Sequence, residues 1–410
     1  MHVVAEQSDH DIPLEQPQLV AEAIRQIVDE TRRRPGTNTT AETMDTHLTP
    51  DTGSTRAALD AVVRQSRTPG LQYLVVDRNE TIFDYAGGWA DLSARRPMTV
   101  ETTMMAYSMS KTITAAAVLQ LVEAQKIALD DPIDRHLGSQ PYGSDVTIRE
   151  LLSHTSGIPN PIPLRWVHPI ANHAAFPEDA ALSAVLQQHK RLSFAPGAKF
   201  AYSNIGYWLL GSIVERATDE PFTSYVRNHL LRPLGIEPQA LGYVVVNPAN
   251  HATGYLEKFS LMNLVKGFVI DSALVAEYEG PWLEIRGHYL NGPAFGGLVG
   301  TARGLGAFLQ DQLRPHSRLF DDRTRSLFYE QQRTTSGAAI AMTLGWHIGS
   351  TGGARFFFKE GGGGGFHSMM RMYAEDGIGT VVLANATGFD VRRLLDDIDR
   401  LFLRSAQNRH

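Results

Sequence analysis

The chain has 410 residues, 43% hydrophobic and 20% charged, with a formal net charge of -6. That is globular composition, long enough for two domains or one interrupted domain, and its scattered Lys and Arg leave no nucleic-acid footprint. The absence of cysteine excludes disulfides, thiol catalysis and thiolate-bound metal.

Residues 1–54 read as an N-terminal extension. A helix-period stretch, "QLVAEAIRQIVDETRRR", ends in the basic triplet Arg32-Arg33-Arg34, a solvated helix end before Pro35-Gly36. The polar, Thr-rich run that follows is too poor in apolar residues to order itself and reads as a linker. The start of the chain has neither the basic nor the apolar part of a signal peptide, and no window approaches the roughly 18 apolar residues of a membrane span. A soluble, cytoplasmic protein without membrane partners is expected.

From residue 55 the pattern changes. "RAALDAVVRQS" has helical period, and "GLQYLVVDR" and "TIFDYAGGWA" read as strands turning at Asn79-Glu80. The middle is mostly helical, with "SMSKTITAAAVLQLVEAQ", "TIRELLSHTSGI", "IGYWLLGSIVERATD" and "TARGLGAFLQDQL". Strands return in "MTLGWHIGS", "ARFFFKE", "FHSMMRMYA" and "IGTVVLANA", before a last helix from Asp390. Strands at both ends with helices between them predict an α+β sandwich. Its antiparallel sheet is built from residues 55–110 and 335–410, and a mostly helical domain, 111–334, is inserted. Asp130-Asp131-Pro132 reads as a helix stop and turn.

Ser108 and Lys111 stand at i and i+3 at the mouth of an apolar helix, where their side chains can meet. Two readings are open: Ser108 caps the helix while Lys111 reaches solvent, or a partly buried Lys111 activates Ser108 as a nucleophile. Tyr202 and Asn204, two residues apart before another helix, offer a proton shuttle and an amide for a substrate carbonyl, or simply a capped turn. Lys359 closes a strand directly before five glycines, 361–365, where a substrate can approach backbone N–H donors.

In this order, SxxK, YxN and KxG resemble the serine β-lactamase and penicillin-binding-protein superfamily, nearest its class C-like branch with family VIII carboxylesterases, over about residues 55–405. "LLSHTSGI", "FAPGAKFAYSNIGYWLLG" and "FGGLVGTARGLGAFL" are also similar to that branch. The resemblance implies Ser108 as nucleophile, Lys111 and Tyr202 as base and acid, and Asn204 as a substrate amide. It also implies that Lys359 helps to keep Tyr202 anionic, beside an oxyanion site at Gly361-Gly362 formed by the N–H groups of Ser108 and Gly362. Where the family's third motif carries a hydroxyl, this chain has Glu360. Whether that carboxylate repels an anionic substrate or strand alternation turns it away, the hydroxyl contact is missing, which disfavours β-lactam hydrolysis.

His154, His168 and His173 fit no zinc spacing and are expected to be structural; no metal or cofactor is expected. Trp166 and His168 are candidates for lining the pocket, and the aromatic segment 254–293 is either extra core or a pocket wall. The expected activity is a cofactor-free serine esterase on small acyl esters. A transacylase, an amidase or D-amino peptidase with weak β-lactamase side activity, or a non-catalytic binding protein are the competing readings. Oligomeric state is not legible.

Overall fold

The computed structural model describes residues 51–161, 166–260, 263 and 272–403. The expected N-terminal helix, its basic triplet and the Thr-rich linker up to residue 50 lie outside the described residues, as do 261–262 and 264–271 of the 254–293 segment. Helix α1 (Thr52–Arg64) begins ahead of the expected boundary at residue 55, because the Asp51 carboxylate accepts the Ser54 N–H at 2.9 Å and caps it. Strands β1 (Gly70–Val76) and β2 (Thr81–Asp91) turn where Asp77 accepts the N–H groups of Asn79 and Glu80. Then come β3 (Arg96–Pro97), β4 (Met104–Tyr107), α2 (Ser110–Glu123), α3 (Ile148–Leu152), β5 (Val167–Pro169) and α4 (Asn204–Thr218). Short strands follow: β6 (Leu241–Gly242), β7 (Gly254–Glu257), β8 (Val275–Glu279), β9 (Trp282–Ile285), β10 (His288–Leu290) and β11 (Leu298–Gly300). The chain returns through α5 (Ala302–Leu313), β12 (His347–Thr351), β13 (Ala354–Gly363), β14 (Phe366–Tyr373), β15 (Ile378–Ala384) and α6 (Val391–Ile398).

The fold is α+β. One antiparallel sheet, ordered β12-β13-β14-β15-β1-β2-β3, joins the two ends of the chain where β1 pairs with β15. Both of those strands are buried along their whole length, as a central strand covered on two faces must be. Alternation sorts the side chains of β1. Leu71, Tyr73 and Val75 pack with Leu59 and Val62 of α1 and with Leu394, Leu395 and Ile398 of α6. Leu74 and Val76 face the opposite core, with Leu305, Phe308 and Leu309 of α5. Full burial of each such Leu or Val contributes about 1.5–3 kcal/mol.

Two expectations about the middle of the chain need correction. Helix α5 lies inside the segment expected as an insert, yet it covers the main sheet: a Cβ at Gly306 would meet Leu74 at 2.1 Å. Strand β4, expected with the sheet domain, instead pairs with β11, which also pairs with β6. The region is also less helical than its sequence suggests, since β7, β9 and β8 form a sheet of their own. Asp130 and Asp131 serve a turn as expected: Asp131 accepts the Ala128 N–H at 2.8 Å, while Asp130 pairs with Arg149.

Candidate active site

Ser108 sits between β4 and α2, at the junction of the main sheet and the helical region. The residue before it, Tyr107, is forced to φ 46°, a left-handed conformation that costs on the order of 1 kcal/mol for a side-chain-bearing residue. The strain is held by its surroundings. Ser110 donates to the Tyr107 carbonyl at 2.6 Å and accepts from the Leu298 N–H at 2.9 Å, tying the start of α2 to β11. Ser108 makes no side-chain cap for α2. Its hydroxyl faces Lys111 instead.

Lys111 is fully buried, with Nζ 2.9 Å from Ser108 Oγ, 2.7 Å from Asn204 Oδ1 and 2.6 Å from the Phe295 carbonyl. Burial, and then the charge of Lys359, hold its pKa well below the usual lysine range. A neutral amine has two N–H bonds and one lone pair. The Asn204 and Phe295 oxygens can only accept, so they take both N–H bonds and leave the lone pair for the Ser108 proton.

Tyr202 lines the same cavity as Ser108, and its ring centre is 4.9 Å from Lys111 Nζ and 5.3 Å from Lys359 Nζ. Burial pushes its hydroxyl above the ordinary tyrosine range despite these two amines. That direction runs against the expected tyrosinate. Each buried lysine is shifted toward its neutral form, Lys111 by burial and then by the charge of Lys359, Lys359 by burial. Lys359 is fully buried in the middle of β13, its pKa pulled down to about 7 by burial, with Nζ 3.4 Å from His347 Nε2.

Strand β13 does not stop at Glu360 but runs on through Gly363, with Gly361 opposite Ser368 and Gly362 opposite His367. A Cβ at Gly361 would fall 2.1 Å from the Ala106 carbonyl oxygen and 2.9 Å from the Ser108 backbone nitrogen. Only glycine lets this strand lie against the backbone of Ser108. Gly362, with Ser108, Tyr202 and Asn204, lines a cavity of about 450 Å³.

A family model described as Beta-lactamase matches residues 55–403. The chain belongs to the β-lactamase family. It is 34% identical to esterase EstB of Burkholderia gladioli over 237 residues, covering 53% of this chain and 59% of that protein. It is 28% identical to penicillin-binding protein 4* of Bacillus subtilis over 163 residues, covering 40% of this chain and 36% of that protein. The chain thus spans less than two thirds of the length of these relatives. Its fold is similar to that of the D-amino acid amidase of Ochrobactrum anthropi SV3, with a TM-score of 0.72 at 20% identity, covering 85% of this chain and 98% of that one. The octameric penicillin-binding protein homologue from Pyrococcus abyssi gives a TM-score of 0.68 at 22% identity, covering 84% and 75%.

In this β-lactamase-family site Glu360 is turned away from Lys359 by strand alternation. Its carboxylate accepts from His367 Nε2 at 2.8 Å and pairs with Arg392. Burial alone would raise its pKa, but the His367 hydrogen bond and the Arg392 charge hold it at about 2. Of the candidate pocket residues, neither Trp166 nor His168 lines the cavity; Val167, between them, does. Trp166 packs behind on Trp208 and Phe295, and His168 is bonded to Asn291 and His173. The 254–293 segment supplies Leu256, Leu274, Ile285, His288 and Leu290 to the cavity wall.

Two histidines stand at the site without having been expected there. His154, read from the sequence as structural, packs tilted against Tyr202 with ring centres 4.3 Å apart and accepts the Ser203 N–H at 3.1 Å. Burial, with Lys359 as the next cause, keeps it neutral by holding its pKa well below the usual range. Its presence in "LLSHTSGI", just before the site, was the available signal. His347 had none beyond its closeness in sequence to β13.

Proposed function

We propose that this protein is a serine hydrolase that cleaves carboxylic esters through an acyl-Ser108 intermediate. The observation that carries the reading is the hydrogen-bond set of Lys111, which leaves its lone pair facing the Ser108 hydroxyl. Lys111 takes that proton as Ser108 attacks the ester carbonyl. The resulting oxyanion lies between the N–H groups of Ser108 and Gly362. The proton then passes through Tyr202 to the departing alcohol, and a water molecule, activated by the same pair, releases the acid. Asn204 Oδ1 faces Lys111, which frees its amide N–H groups for the substrate carbonyl.

The similarity to esterase EstB supports an ester as the substrate, and the cavity wall agrees: Val167, Leu256, Leu274, Ile285, Leu290 and Phe295 suit an apolar substituent. With Glu360 committed to His367 and Arg392, a penicillin-type carboxylate loses the hydroxyl contact it would need. One charge-assisted hydrogen bond is worth about 1.5–3 kcal/mol, or roughly 10- to 100-fold. A p-nitrophenyl acyl ester and a chromogenic cephalosporin, assayed side by side with and without an added amine, test the assignment. Ester turnover exceeding cephalosporin turnover by at least that margin, with free acid as product, is expected. Preferential cephalosporin turnover would refute it, and amide formation at the expense of acid would move it to an acyltransferase.

A further inference from the structure

His288 and Ile285 line the catalytic cavity, and they also line a second cavity of about 160 Å³ on their other side. The second cavity is lined by Met105, Ile170 and Val245 and, on its polar side, by His251, Glu284 and Arg286. Ile170 is 42% exposed and Arg286 lies at the surface, so this space opens outward. A wall one side chain thick therefore separates the cavity at Ser108 from a surface groove.

The wall is fixed. His288, 6% exposed, has Nδ1 2.9 Å from the Arg286 carbonyl and Nε2 3.1 Å from the Tyr107 hydroxyl, which also reaches the Gly364 carbonyl at 2.7 Å. The carbonyl can only accept, so Nδ1 carries the hydrogen and the tautomer is fixed, while the single Tyr107 hydroxyl hydrogen is available to either Nε2 or the Gly364 carbonyl. Ile285 is anchored in β9, opposite Gly254 of β7 and Val275 of β8. The glycine turn closes directly onto both residues: a Cβ at Gly364 would stand 3.3 Å from His288 Cε1 and 3.5 Å from Ile285 Cγ2.

We propose that His288 and Ile285 form a fixed partition that limits the length of the ester's apolar chain, and that the groove behind them continues the substrate path. The inference rests on the ester-hydrolase reading and names its substrate class: esters of short or medium unbranched chains, with longer ones stopped at His288. Each methylene that gains burial beyond the wall is worth roughly fourfold in kcat/KM.

The test uses His288→Ala and Ile285→Ala in the full chain, each checked for folding by thermal melting. Two substrate arms are assayed: p-nitrophenyl esters from acetate to dodecanoate, and acetate esters of alcohols of the same lengths. The long-to-short ratio of kcat/KM should rise about tenfold or more in one arm, with His288→Gln, which keeps most of the wall, below His288→Ala. An unchanged ratio in both arms for the folded variants, while acetyl esters still acylate Ser108, would overturn the partition alone. Failure of wild-type Ser108 to acylate would overturn the hydrolase reading instead.

Discussion

Replacing Lys111 by methionine should lower kcat for a p-nitrophenyl ester by about 10²–10⁴-fold, the usual contribution of a positioned general base. KM should change only a few-fold. The reason lies in three distances: the amine nitrogen has Asn204, Phe295 and Ser108 around it, and only Ser108 can give it a proton. Methionine fills similar volume but leaves the two carbonyl oxygens without their buried donor, at a cost of about 1–3 kcal/mol. The protein should therefore melt lower yet still fold. Lys111→Arg should be equally inactive, because a guanidinium cannot give up its proton to become a base. A Lys111→Met protein retaining more than a tenth of wild-type kcat would place the base elsewhere, with Tyr202 the group next in reach.

The second large effect concerns pH. Burial and then the charge of Lys359 hold the Lys111 pKa well below the usual lysine range, so the rising limb of kcat/KM should lie far below ordinary lysine titration. Lys359, depressed to about 7, is cationic below that pH and neutral above it. If its cation stabilises the negative charge that develops at the oxyanion, the rate should fall as pH rises through about 7. Lys359→Met should then cost about 10²–10³-fold at the optimum, comparable to losing one oxyanion donor. It should erase the falling limb. It should also move the rising limb to higher pH, because the neighbour that disfavours a proton on Lys111 is gone. An unchanged profile in that variant would remove Lys359 from the electrostatic account.

The parts of the fold legible in sequence were those with long periods. The continuous apolar runs of β1 and β15 and the all-round apolar α2 announce burial without any knowledge of their partners. The short strands β5 to β11 do not, because a segment of two to five residues becomes a strand through the chain it meets. The same physics explains Trp166 and His168. The face His168 presents is set by pairing with β10, Tyr289 opposite His168, which the local sequence does not encode, and Trp166 directly precedes that strand. In the site, Ser108, Lys111, Tyr202, Asn204 and Lys359 carry motif spacing, and the structure brings them together. The Phe295 carbonyl is a backbone group and has no signature. The protonation state of Tyr202 depends on how completely the site is buried, which spacing does not reveal.

The central claim is a covalent one, and intact-mass measurement of the protein mixed with a p-nitrophenyl acyl ester tests it most directly. Wild type should gain the mass of one acyl group, located by peptide mapping at Ser108, while folded Ser108→Ala should gain none and lose turnover by on the order of 10⁶-fold. An adduct that persists in Ser108→Ala, or turnover that survives the substitution, would contradict the account.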